Sequence, residues 1–244
     1  MSWLRRRKLK VGKRIVDSTL VILSFCLAIF PATGRADETD ARNQALEILN
    51  QRHIYFSAEE FLDLVDRGDA DNVSVFIRAG MNPNTTVEDF KLPIHIASFK
   101  GHVETLRVLL DAKALPNIRN ANGWTPIMLA SFMENVECVS LLLERGADPE
   151  LMNESGMTAM MLAVQGRNPD LVKVLLKAFA DPGIRNAAKV SAISIAIDTR
   201  QEKLIALMEK AGYAKAVTSA RRELQAARKQ GPGKQSKTAK SKAK

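Results

Sequence analysis

The side chains able to do chemistry are few. Three histidines (His53, His95, His102) and two cysteines (Cys26, Cys138) are all the imidazole and thiol groups of the 244-residue chain. No two histidines stand at the i, i+4 spacing that sets a pair of ligands on one helix face, and Cys138 has no cysteine partner at a zinc-binding interval. No serine lies in a nucleophile-elbow pattern. Gly231-Pro232-Gly233-Lys234 is a glycine-lysine fragment with no strand before it to aim it at a phosphate. The residue types therefore predict no catalytic residue, no metal and no cofactor. The chemistry that remains is binding, and it depends on how charge and apolar groups are distributed.

The formal charge of +9 is not spread evenly. Residues 1–14 hold seven Lys/Arg and no acid, and residues 214–244 hold ten Lys/Arg against Glu223 alone. Between them, 37–213 carry eighteen basic and twenty-five acidic residues. The body is acidic and both ends are basic. At the first end, the cationic run Arg5–Arg14 precedes the apolar stretch Ser18–Phe30, then Pro31 and the small residues Ala32, Thr33, Gly34 and Ala36. That order is the layout of a secretory signal over residues 1–36, with Gly34-Arg35-Ala36 as the cleavage site. It predicts a periplasmic or secreted protein. The alternative is an uncleaved anchor in the inner membrane using residues 15–30, which would have to tolerate Asp17 in the membrane. The apolar stretch is shorter than the ~20 residues a spanning helix needs. Cleavage would leave Cys138 as the only cysteine, excluding an intramolecular disulfide.

A fixed period runs through the middle. Leu92-Pro93-Ile94-His95-Ile96-Ala97 aligns with Thr125-Pro126-Ile127-Met128-Leu129-Ala130, then Thr158–Ala163 and Ser191–Ala196. The alanines 97, 130, 163 and 196 are each 33 residues apart, and Leu109-Leu110, Leu142-Leu143 and Leu175-Leu176 keep the same step. Stepping back from Leu109 reaches Phe76 in a first unit, where Leu64 takes the alanine place. Within a unit, Thr125 is suited to cap a helix begun by Pro126, and Val136, Val139, Leu142 and Leu143 recur at helical spacing. Arg145-Gly146-Ala147-Asp148 ends the second helix, and Asn122-Gly123 turns the connector. A helix pair this short buries its apolar face only against stacked neighbours.

Gly123-Trp124-Thr125-Pro126-Ile127-Met128-Leu129-Ala130, followed by Leu141–Pro149, resembles an ankyrin repeat. So does Leu92–Ala97 followed by Gly101-His102-Val103-Glu104. The resemblance implies an all-α ankyrin-repeat solenoid of about five helix-turn-helix units over 57–213, divided as 57–84, 85–117, 118–150, 151–183 and 184–213. A leader segment, 37–56, would carry a helix over Asp40–Gln51 with Ala45, Ile48 and Leu49 facing the first repeat. Residues 214–244 would be a basic, largely disordered tail, continued as a helix over 214–230 and stopped by Gly231-Pro232-Gly233. The first unit, opening on the capping box Ser57-Ala58-Glu59-Glu60, and the fifth, with Ser191-Ala192 for Thr-Pro and Lys189 for the turn glycine, would be caps.

The resemblance also assigns roles. His95 would tie neighbouring connectors by hydrogen bonds, His102 would open a second helix, and Cys138 would be a buried thiol. Arg67-Gly68-Asp69 would be an ordinary turn. The family implies a concave face of turn tips and first-helix surfaces that binds proteins. Its outward positions here are Glu88, Asp89, Lys91, Phe99 and Lys100 in the second unit. The third offers Trp124, Phe132 and Met133, and the fourth Glu154 and Met157. Large apolar groups where water is expected mark an interaction site. An acidic rim of Glu88, Asp89 and Glu154 would favour a partner segment carrying Lys or Arg. The array would be a monomeric, non-enzymatic binding module. The alternative is an envelope-tethered scaffold, held by its N-terminal segment or by its basic tail on an anionic polymer or lipid. Export makes nucleic acid a poor partner for that tail.

Overall fold

The computed structural model of the chain describes residues 36–86 and 92–230. The chain divides at Asn43 into two units. Of the first, residues 36–43 are described and form the opening turns of helix α1 (Ala36–Gln51). That helix starts four residues ahead of Asp40, with Asp37 and Glu38 in a first turn whose free N–H groups favour carboxylates.

From Gln44 onward the second unit is a stack of five helix pairs. They are α2 (Ala58–Arg67) with α3 (Ala70–Arg78), α4 (Pro93–Lys100) with α5 (Val103–Asp111) and α6 (Pro126–Phe132) with α7 (Val136–Glu144). Next come α8 (Ala159–Gln165) with α9 (Pro169–Lys177) and α10 (Ala192–Asp198) with α11 (Glu202–Met208). No strand occurs among the described residues. First helices touch first helices along the stack, and second helices touch second helices.

The repeated sequence positions are the core. Ala97, Ala130, Ala163 and Ala196 are fully buried between successive first helices, where a methyl group is all that fits, and Leu64 fills the wider first position. Phe76, Leu109, Leu142, Leu175 and Met208 stand 33 residues apart and are all fully buried. Burying each such side chain contributes ~1.5–3 kcal/mol. Met208 holds the fifth place in this column, so the last unit keeps the packing although its motif has drifted.

Caps and turns repeat with the same period. Ser57 Oγ accepts from Glu60 N–H at 3.1 Å, and Thr158 and Ser191 cap α8 and α10 in the same way. Gly68 closes α2 in the left-handed region, and Asp69 caps α3 through Asn72 N–H, so Arg67-Gly68-Asp69 is a turn between two helices. Positions 68, 101, 134, 167 and 200 all have positive φ, occupied by Gly, Gly, Glu, Arg and Arg. So do 80, 113, 146, 179 and 212, occupied by Gly, Lys, Gly, Phe and Gly. A β-carbon at Gly68 would come 2.7 Å from Nδ1 of His102, so glycine there also makes room for the next unit.

Two hydrogen-bond ladders join the units. Asn84, Asn117 and Glu150 accept from the backbone N–H of Leu115, Asp148 and Asp181 at 3.0, 2.8 and 2.7 Å, each bridging to the following repeat. His102, Asn135 and Gln201, at the starts of second helices, reach back to carbonyls at or near the end of the preceding first helix: Asp66, Ser98 and Val164. Asn168 reaches the Glu134 carboxylate instead.

Residues 214–230 form the expected helix, but it packs on the array and does not belong to a disordered tail. After a π-helical turn, Glu209–Tyr213, they form α12 (Ala214–Gln230), which packs on α10 and α11. Val217 and Ala220 are buried, and Leu224 is half-buried on the same side. A seam at helical spacing gives these residues the apolar burial that a disordered tail lacks, so the folded part extends beyond 213. Residues 231–244 lie outside the described residues.

Candidate functional site

An open groove runs beside α4. Its volume is about 300 Å³, and it is lined by α4 (Ile96, Phe99, Lys100), the end of α2 (Asp66) and the next connector turn (Asn120, Ala121, Asn122), together with Leu92, His95 and Leu129. Short first helices leave their outer residues facing this space, because the connector turns rise beside them.

The connectors are closed by paired hydrogen bonds. Asn120 accepts from Trp124 N–H through Oδ1 at 2.9 Å, and its own N–H donates to the Trp124 carbonyl at 3.0 Å. Asn153 with Met157 and Asn186 with Val190 repeat the same closure. Gly123 and Gly156 take positive φ in the first two turns, and Lys189 does so in the third.

His95 secures one of these turns from below. Its Nε2 is 3.1 Å from the carbonyl oxygens of both Ile118 and Trp124. As a neutral imidazole protonated at Nε2 it can donate to this pair of acceptors. Burial lowers its pKa from 6.5, against the opposing pull of the two backbone hydrogen bonds. The imidazole is a tether between two turn carbonyls. Cys138 is buried in α7, and burial, reinforced by the charge of Glu137, raises its thiol to about 11. A thiol held protonated at neutral pH is a poor nucleophile. Among the described residues no group of three or more His, Cys, Asp or Glu is placed to hold a metal.

The apolar residues picked out by the sequence fall into two groups. Phe99, Phe132 and Met133, at the ends of α4 and α6, are 38, 56 and 42% exposed. Trp124 is half-buried and meets Phe132 edge to face, ring centroids 5.6 Å apart at 80°. Trp124 is thus partly a structural residue, buttressing Phe132 on the turn that His95 holds. Met157 is half-buried and packs on the hydrophobic core. Lys100 is exposed and pairs with Asp66 at 3.2 Å. Glu154 is exposed on the next turn, its backbone N–H donating to the Asn122 carbonyl at 3.2 Å. Glu88, Asp89 and Lys91 lie outside the described residues, which leaves Glu154 of the expected acidic positions; Asp66, at the end of α2, is a further acid beside the groove and is paired with Lys100. Sequence reasoning missed Asp66. It stands one period before Phe99, and that column reads Asp66, Phe99, Phe132, Gln165, Asp198 across the first helices. The column puts two aromatics at the centre and a carboxylate at each end.

An all-α stack of helix pairs with a 33-residue period and hairpin-like connectors defines a solenoid of the binding-scaffold kind. A family model described as ankyrin repeats (3 copies) matches residues 62–153 and again 94–186, and the chain belongs to the ankyrin repeat family. Such repeats generally mediate protein–protein interaction, and proteins built from them are typically non-enzymatic. No curated protein matches the chain.

Proposed function

We propose that this array binds another protein on its concave face, with Phe99, Phe132 and Met133 as apolar anchors and Trp124 as the support that fixes Phe132. The observation that carries this reading is the exposed aromatic pair Phe99 and Phe132 at equivalent positions of adjacent first helices, next to a groove of about 300 Å³. Interfaces combine such apolar centres with charged rims, and Asp66, Lys100 and Glu154 supply the rim here. Connector turns already closed by hydrogen bonds lower the ordering cost of association. With Asp66 paired to Lys100, Glu154 is the carboxylate of this rim left to favour a Lys or Arg among the partner's apolar residues.

The double variant Phe99→Ala/Phe132→Ala tests the reading. Truncating interface anchors costs at least ~2 kcal/mol of binding each, whereas exposed side chains matter little to stability. A variant that melts like the parent and loses its partner supports the proposal. A variant that keeps its partner moves the binding face elsewhere.

The site of action belongs to the same proposal. The cationic run and apolar stretch of residues 1–36 support export to the periplasm or cell envelope, with a mature N-terminus near Asp37. Intact mass of the native protein decides it. A mature species in a soluble envelope fraction fits export, and a membrane-bound species beginning at Met1 or Ser2 fits the tethered scaffold.

A further inference from the structure

The far end of the array has a surface of different character, and it goes beyond protein binding on the concave face. Over residues 185–230 there are ten Lys/Arg against four acids. Three of those acids are already neutralised: Asp198 by Arg228 at 2.8 Å, Glu202 by Arg221 at 3.2 Å and Glu223 by Arg185 at 2.9 Å. Helix α12 divides its own cations between two duties. Arg221 and Arg228 turn toward the array and pin the helix to α10 and α11. Lys215, Arg222 and Lys229 stand seven residues apart, opposite the seam of Val217, Ala220 and Leu224, and are exposed. None of the three forms an ion pair among the described residues. Two turns of helix separate each from the next, so the three charges form a ridge with a spacing of about 10 Å. Glu223, the one acid on the helix, points to a flank, where Arg185 and Ser219 hold it.

We propose that this ridge is a docking surface for an anionic phospholipid bilayer, on which α12 lies with Lys215, Arg222 and Lys229 facing the headgroups. A straight line of uncompensated cations without an apolar wedge suits a planar, negatively charged surface bound by charge alone. No aromatic residue of α12 is available to stack on bases, as single-stranded nucleic acid recognition requires. The chain continues past α12 with Lys234, Lys237, Lys240, Lys242 and Lys244 and no acid, which extends the same complementarity. If the apolar stretch Ser18–Phe30 stays uncleaved as an anchor, it would add a membrane attachment at the other end of the chain. The groove beside α4 and the ridge on α12 share no residue.

The test is sedimentation of the full chain with vesicles of phosphatidylcholine alone and of phosphatidylcholine mixed with phosphatidylglycerol. Parallel arms use high salt and a duplex DNA fragment. A cation near an anionic surface contributes about five-fold in partition, so Lys215→Gln/Arg222→Gln/Lys229→Gln should weaken binding to anionic vesicles on the order of a hundredfold. The parent should bind them at low salt and release them at high salt. The charge-preserving variant Lys215→Arg/Arg222→Lys/Lys229→Arg should bind like the parent, which separates loss of charge from damage to α12. The proposal is overturned if the parent ignores phosphatidylglycerol or binds neutral vesicles equally well. It is also overturned if the neutralised variant binds anionic vesicles undiminished, or if DNA retention depends on the ridge while vesicle binding does not.

Discussion

Ala130 offers a direct probe of how the units are held together. It sits on α6, which touches α4 on one side and α8 on the other, and its side chain is fully buried together with Ala97 and Ala163. Ala130→Leu adds three carbon atoms at a place packed to interior density on both sides. The neighbouring alanines have no rotamer to yield, so the backbones must separate or the leucine must leave its preferred rotamer. Overpacking of this kind costs ~1–3 kcal/mol. For a folded region of this length, 1 kcal/mol lowers the melting temperature by roughly 2–4 °C, so the expected drop is roughly 2–12 °C. Thermal unfolding followed by circular dichroism at 222 nm measures it, with Ile96→Leu, on the half-buried outer side of α4, as control. An Ala130→Leu melting temperature within about 1 °C of the parent would show that the alanine column does not set the spacing of the helices.

Phe179 is 89% exposed and has a φ of 60°, at a turn position that glycine fills in three of the other four units. Phe179→Gly should stabilise the array by ~0.5–1 kcal/mol, read as a higher urea midpoint with an unchanged slope. His95 has a folded pKa below its ordinary 6.5, so the unfolded chain takes up its proton first. Its contribution is complete above 6.5 and is lost as pH falls through that value toward the lower folded pKa. His95→Met, the residue found at positions 128 and 161 of the same column, should flatten the stability profile between pH 7 and pH 5. The buried thiol of Cys138 should resist a thiol-specific disulfide reagent at pH 8 and react only at the rate of unfolding, whereas fast labelling of the native protein would contradict its burial.

The period was legible because the core repeats in identity: four alanines and a leucine-rich column 33 residues apart admit one stacking arrangement. The Gly68-Asp69 turn and the His95 tether could be read for the same reason. The ladders between units escaped notice because chemically different residues fill one structural position, as with Asn84, Asn117 and Glu150, or His102, Asn135, Asn168 and Gln201. The left-handed positions were hidden likewise. Glu134, Arg167, Arg200 and Phe179 carry no local sign of positive φ, which the flanking helices impose on them. Helix α12 was underestimated because Val217, Ala220 and Leu224 make a short seam within a segment whose composition is basic. At the candidate site, the exposure of Phe99, Phe132 and Met133 followed from their place in the repeat. The half-burial of Trp124 did not, since it depends on the ring of Phe132 one helix away.

The central claim, that the concave face holds a partner, is tested most directly by site-specific photocrosslinking in the native host. A photoreactive phenylalanine would be placed at position 99 or 132, and at 115 or 179 for comparison. Leu115 and Phe179 are 54 and 89% exposed against 38 and 56% for Phe99 and Phe132. Neither lines the groove, whereas Phe99 does and Phe132 stands at the equivalent position of the next first helix. The account predicts one discrete crosslinked protein shared by positions 99 and 132 and absent from 115 and 179. Crosslinks confined to 115 or 179 would contradict it.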